Sequence, residues 1–198
     1  MPAIWLTAFA TPAQLARLSA PPNALLMAAF MLHYAYRDLV FPFRLRGGKP
    51  TPVTIVLMAF AFCTYNGYMQ TRYLLEVAPM DAAITPRFVA GMAVWLAGWL
   101  VNLHSDNILL RLRGTRGGKG GYKIPKGGAF EYVSAANYAG EIFEWTGWAV
   151  ASWSLPAAAF ASFTFCCLAP RGHRHHTWYQ ENFKTYPKGR RAVIPFLW

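Results

Sequence analysis

Long apolar runs separated by short basic clusters constrain this chain more than any other feature. Five segments, roughly 23–43, 52–76, 87–110, 129–151 and 154–176, reach or approach the about 20 mainly apolar residues that a helix needs to cross a bilayer. A shorter stretch, 3–18, carries Pro12 and Arg17 and reads as a short or tilted sixth span, or as an interfacial segment. Turn signals separate the runs: Pro21-Pro22, Gly47-Gly48 with Pro50, Pro79 to Pro86, the glycines from 114 to 128, and Ser154-Leu155-Pro156. Hydrophobic residues make up 55% of the chain and charged residues 14%, a balance that calls for a solvent other than water.

The basic residues test this topology. Arg44, Arg46 and Lys49 lie in one loop. Arg111, Arg113, Arg116, Lys119, Lys123 and Lys126 lie in a second, and Arg171, Arg174, Lys184, Lys188, Arg190 and Arg191 in the tail. These are fifteen of the nineteen Lys and Arg residues, and the intervening loops near 20, 77–86 and 153 hold none. Six spans put all three basic regions, and the C-terminus, on one face, the cytoplasmic one by the positive-inside rule. The expected fold is therefore an all-α, polytopic transmembrane helix bundle of about six spans, one domain over 1–198, in a bacterial inner membrane or the endoplasmic reticulum. The net charge of +11 forms no groove-lining stripe, which argues against nucleic acid.

Ionisable groups inside spans are costly and usually face a cavity or serve a function. Here they recur at helical spacing. Ser134, Asn137, Glu141, Glu144 and Trp148 step by three and four, Arg171, His175 and Tyr179 by four and four, and Asn102, Asp106 and Arg113 by four and seven. Tyr34, Arg37 and Asp38 sit toward the cytoplasmic end of the first long run, with Tyr65, Asn66 and Gln70 near the middle of the second. Such stripes line a polar cavity suited to a large anionic cofactor bearing amide and hydroxyl groups; the alternative is that they pair only with each other to hold helices together.

Other chemistries find little support. The loop from Arg113 to Tyr122 is glycine-rich and basic but lacks the spacing and the Ser/Thr of a P-loop. It reads as a flexible cytoplasmic loop or as a cationic lid over phosphates. His173, His175 and His176 have no partner box elsewhere, so no metal site is expected. His33 and His104 read as packing or hydrogen-bonding residues. Cys63, Cys166 and Cys167 read as reduced packing residues.

The segments LHYAYRDLVFPF (32–43), AFCTYNGYMQ (61–70), NLHSDNILLRLR (102–113), YKIPKGGAFEYVSAANYAGEIFEW (122–145) and RHHTWYQENFKTYPKGRRAVIPFLW (174–198) resemble the steroid 5α-reductase family, nearest its steroid-reducing branch. The resemblance runs over essentially the whole chain. It implies a seven-helix membrane bundle that binds NADPH from the cytoplasmic side and transfers hydride to the β-carbon of a lipid-soluble, steroid-like enone. It implies a catalytic role for Tyr34, as hydrogen-bond donor to the substrate's C3 carbonyl. By position, the implied cofactor set is Asn102, Asp106, Arg113, Tyr122, Asn137, Glu141, Arg171, His175 and Tyr179. Lys123 stands where the family often has arginine, keeping the charge without the bidentate fork. Arg37 and Asn66 lie in blocks that border the cofactor.

The family's glutamate partner of the tyrosine falls immediately ahead of Met1, as does one further span, and the expectation is that the natural reading frame begins upstream. The protein is expected to be a monomer in contact with membrane lipid. The same fold could reduce a polyprenal, an enoyl thioester or another sterol double bond. A non-catalytic lipid-binding membrane protein is the remaining alternative.

Overall fold

The computed structural model describes residues 10–45, 50–112 and 122–198, and these are all-helical apart from one isolated bridge between Val133 and Arg191. The helices are α1 (Pro12–Leu15), α2 (Pro21–Ala35), α3 (Phe41–Arg44), α4 (Val53–Arg72), α5 (Pro86–Leu112), α6 (Ala136–Ser152) and α7 (Leu155–Asn182). Two of the helical rods, Pro21–Arg44 and Pro86–Leu112, are long and apolar enough to cross a membrane. Large side chains along α4, among them Val53, Leu57, Met58 and Phe60, are exposed, which gives the chain the apolar exterior of a membrane protein.

The first rod is not a uniform helix. A wide π-helical turn, Tyr36–Val40, joins α2 to α3. Pro42 explains it. Its ring excludes the carbonyl four residues back, that of Asp38, and it has no N–H to donate, so the ladder widens instead of breaking. This turn carries Arg37.

The tightest helix pair is α5 against α6. Gly91 and Gly98 on α5 face Gly147 and Gly140 on α6, in opposite chain directions. A seven-residue step is close to two helical turns, so each pair of glycines shares one face. A Cβ on any of the four would run into the backbone of the facing helix, so the two backbones pack without side chains between them. Around this seam lies a core that includes Leu26, Phe30, Leu74, Trp95, Trp145, Trp148 and Phe160.

The expected span at 129–151 is shorter than its apolar run. Residues Gly128–Glu131 form a 3-10 turn, and α6 starts only at Ala136. The reason is a non-local pairing. Ser134 N–H donates to the Arg191 carbonyl (2.8 Å) and Ala135 N–H to that of Ala192 (3.1 Å), so the C-terminal tail holds this stretch in a turn ahead of the helix. Ser134 therefore does not belong to the helical stripe of Asn137 and Glu141. Its hydroxyl instead meets His176 (2.6 Å) and Tyr186 (2.5 Å). Gly127 and Gly128 turn with φ of +93° and +56°, and a Cβ on Gly128 would strike the His104 ring.

Candidate active site

One turn of α2 and its π-helical extension supplies His33, Tyr34 and Arg37. Positions 33 and 37 are four apart and 34 and 37 three apart, so the three side chains share one face. Arg37 bridges two other helices. Its Nη1 donates to Asp106 Oδ2 on α5 (2.7 Å) and its Nη2 to Glu141 Oε2 on α6 (3.2 Å). The planar guanidinium suits this, since its two N–H arms diverge in a fixed geometry. The glycine seam holds α5 and α6 close enough for one arginine to reach both. Asn102 adds a crosspiece, its Nδ2 donating to the Asn137 carbonyl at 2.9 Å.

Beside this cluster, His33 Nδ1 meets Glu144 Oε1 at 2.7 Å, with both side chains buried. Glu144 Oε2 has no partner among the described residues. The His33 ring packs edge-on against Trp145 (centroids 4.6 Å apart) and Tyr34 (5.2 Å). Tyr34 also lies against Phe30 at 4.8 Å. An aromatic wall of Phe30, His33 and Trp145 thus fixes the plane of the Tyr34 ring, with the phenol oxygen turned to α4, where Asn66 Nδ2 donates to it at 3.3 Å.

A second group lies at the far end of α7. The His175 ring faces Tyr138 of α6 (5.8 Å), and Arg171 lies exposed one turn earlier on α7. Tyr179 stacks on Tyr186 of the tail (5.3 Å, 4° between planes), while Tyr122 packs edge-on against Trp178. Burial pushes the Tyr179 phenol above its ordinary range. Lys123 is exposed, and Arg113 lies outside the described residues.

The predicted residues therefore fall into two sets. Tyr34, Arg37, Asn66, Asn102, Asp106, Asn137 and Glu141 form one buried to half-buried polar region, and Arg171, His175 and Tyr179 run along the C-terminal half of α7, where Tyr122 packs on Trp178. The His33–Glu144 contact is the part that reasoning from sequence did not assemble. The available signal was that His33 shares a face with Arg37, and Glu144 stands one turn beyond Glu141. A separate cavity of about 240 Å³ is lined by Leu100, Val101, His104, Ser105, Gly128 and Ala129, none of them in the predicted set. No group of three or more metal-ligating side chains comes together among the described residues.

This fold and site define a helical membrane protein with an ionisable, aromatic-walled centre between helices. Comparison with known proteins gives the class its family. The family profile of 3-oxo-5-alpha-steroid 4-dehydrogenases matches residues 49–198. Among relatives, 3-oxo-5-alpha-steroid 4-dehydrogenase 1 of Bos taurus is 56% identical over 91% of this chain and 70% of its own length. The same-named protein of Homo sapiens is 54% identical over 91% and 70%, and human 3-oxo-5-alpha-steroid 4-dehydrogenase 2 is 46% identical over 97% and 77%. The chain belongs to the 3-oxo-5-alpha-steroid 4-dehydrogenase family and is an oxidoreductase acting on a CH–CH group. That family implies a nicotinamide cofactor.

Proposed function

We propose that this protein reduces the Δ4 double bond of a 3-oxo steroid, using NADPH, within a bundle of six membrane spans whose basic loops and C-terminus face the cytoplasm. One observation carries the catalytic part: the Tyr34 oxygen accepts a hydrogen bond from Asn66, so its own O–H remains free to be donated. Reduction of an enone by hydride attack at the β-carbon moves an electron pair onto the carbonyl oxygen as an enolate. A donor fixed at that oxygen lowers the barrier, and loss of one such donor typically costs about 3–4 kcal/mol. The buried Phe30, His33 and Trp145 wall packs against Tyr34 and holds its ring for this task.

The residues fit a dinucleotide by the chemistry of their groups. NADPH supplies the hydride when bound. Asp106 and Glu141 would accept from ribose hydroxyls or the carboxamide, with Arg37 between them to balance their charge. Asn102 and Asn137 border the same region. Phosphates need cations, and Arg171, Lys123 and Arg113 would provide them, with His175, Tyr122 and Tyr179 as hydrogen-bonding and aromatic neighbours. Single turnover with NADPH and a panel of enones tests this: a 3-oxo-Δ4 steroid should be reduced in preference to a polyprenal or an enoyl thioester.

A further inference from the structure

We infer that Gln70 is a positioning residue, which sets the direction of a buried hydrogen-bond chain so that Tyr34 presents its proton to substrate. This rests on the reading of Tyr34 as the carbonyl donor. Gln70 is buried on α4, one helical turn after Asn66. Its Nε2 donates to the backbone carbonyl of Pro156 on α7 (3.0 Å) and to Asn66 Oδ1 (2.9 Å). Asn66 Nδ2 then donates to the Tyr34 oxygen (3.3 Å).

The polarity of the whole chain follows from one atom. An amide side chain can face a neighbour with either its oxygen or its NH2, and an isolated amide has no reason to prefer one. A backbone carbonyl can only accept. Pro156 therefore obliges Gln70 to turn its NH2 inward. That NH2 holds Asn66 by its oxygen, and Asn66 in turn can offer Tyr34 only N–H. If the Asn66 amide turned over, its oxygen would take the Tyr34 proton, and the substrate carbonyl would lose its donor. Ser154 supports the anchor by capping the first turn of α7, its Oγ accepting from the Ala157 N–H at 3.3 Å. The arrangement leaves Gln70 Oε1 buried without a partner among the described residues, so the residue is retained at a cost in stability.

The test is Gln70→Leu measured in two backgrounds, native and Tyr34→Phe, by single turnover with NADPH and a 3-oxo-Δ4 steroid. Coupled residues give non-additive losses, so Gln70→Leu should slow the native protein about tenfold and slow Tyr34→Phe less than about twofold further. The NADPH dissociation constant should stay within about twofold in both. Gln70→Met, close to glutamine in volume, carries the same expectation if the leucine variant does not accumulate folded. Equal losses in both backgrounds would show a merely structural role and overturn the inference, as would native turnover in Gln70→Leu. Native turnover in Tyr34→Phe is a different result: it removes the reading of Tyr34 itself.

Discussion

His33 and Glu144 face each other at 2.7 Å with neither side chain open to solvent, and the His33 ring packs edge-on against Tyr34. One of the two must carry the proton that joins them. Removing one partner strands the other in a dry site, which costs about 1–3 kcal/mol or more. Glu144→Leu should lower the unfolding midpoint in detergent clearly, and Glu144→Gln, which keeps a hydrogen-bonding oxygen, should lower it less. Equal midpoints for the two variants would remove the pair as a support of the site.

The glycine seam makes a sharper stability prediction. Gly98→Ala and Gly140→Ala each put a Cβ into the facing backbone, and overpacking of this kind costs about 1–3 kcal/mol. Because the same seam brings Asp106 and Glu141 to one arginine, NADPH affinity should fall with stability. Gly189→Ala, where a Cβ meets nothing, is the control and should be neutral. Thermal unfolding and cofactor titration on the same preparations check both.

Arg37→Lys keeps the charge and loses the fork. An ammonium cannot hold Asp106 and Glu141 with the same fixed geometry. The Kd for NADPH should rise about tenfold, a change of 1.4 kcal/mol, without loss of folded protein. An unchanged Kd would confine Arg37 to helix packing.

Arg171→Ala should weaken NADPH binding by about tenfold by leaving phosphate charge unpaired, while leaving the single-turnover rate at saturating cofactor within about twofold. Titration at two salt concentrations adds a check, since the native protein should lose affinity with salt faster than the variant. Unchanged affinity would remove Arg171 from the cofactor set.

Much of this protein was legible before its fold was known, because lipid imposes simple rules. Apolar length and basic clusters pointed to helices in a membrane, and three- and four-residue steps put Asp106 and Glu141 each on a polar face of its helix; that Arg37 joins the two faces came from the fold. Pairings distant in sequence were not legible. Ser134 continues the α6 periodicity, but the tail from Arg190 to Ala192 captures it, and no local signal announces that. Glu144 reads in the sequence only as one member of the α6 polar stripe, yet its partner lies 111 residues away on α2. The same holds for the Pro156 carbonyl, a backbone atom with no mark in the sequence. The π-helical turn at Tyr36–Val40, by contrast, had its cause in plain view at Pro42.

The most direct test is Tyr34→Phe, compared with the native protein in membranes, by single turnover with NADPH and a 3-oxo-Δ4 steroid. The native protein should yield the Δ4-saturated 3-ketone with oxidation of one NADPH. The variant should be about 100-fold slower or more with its NADPH Kd unchanged, as expected for loss of one donor to the developing oxyanion. A variant that turns over at the native rate, or a native protein that binds NADPH and reduces no 3-oxo-Δ4 steroid, would contradict the account.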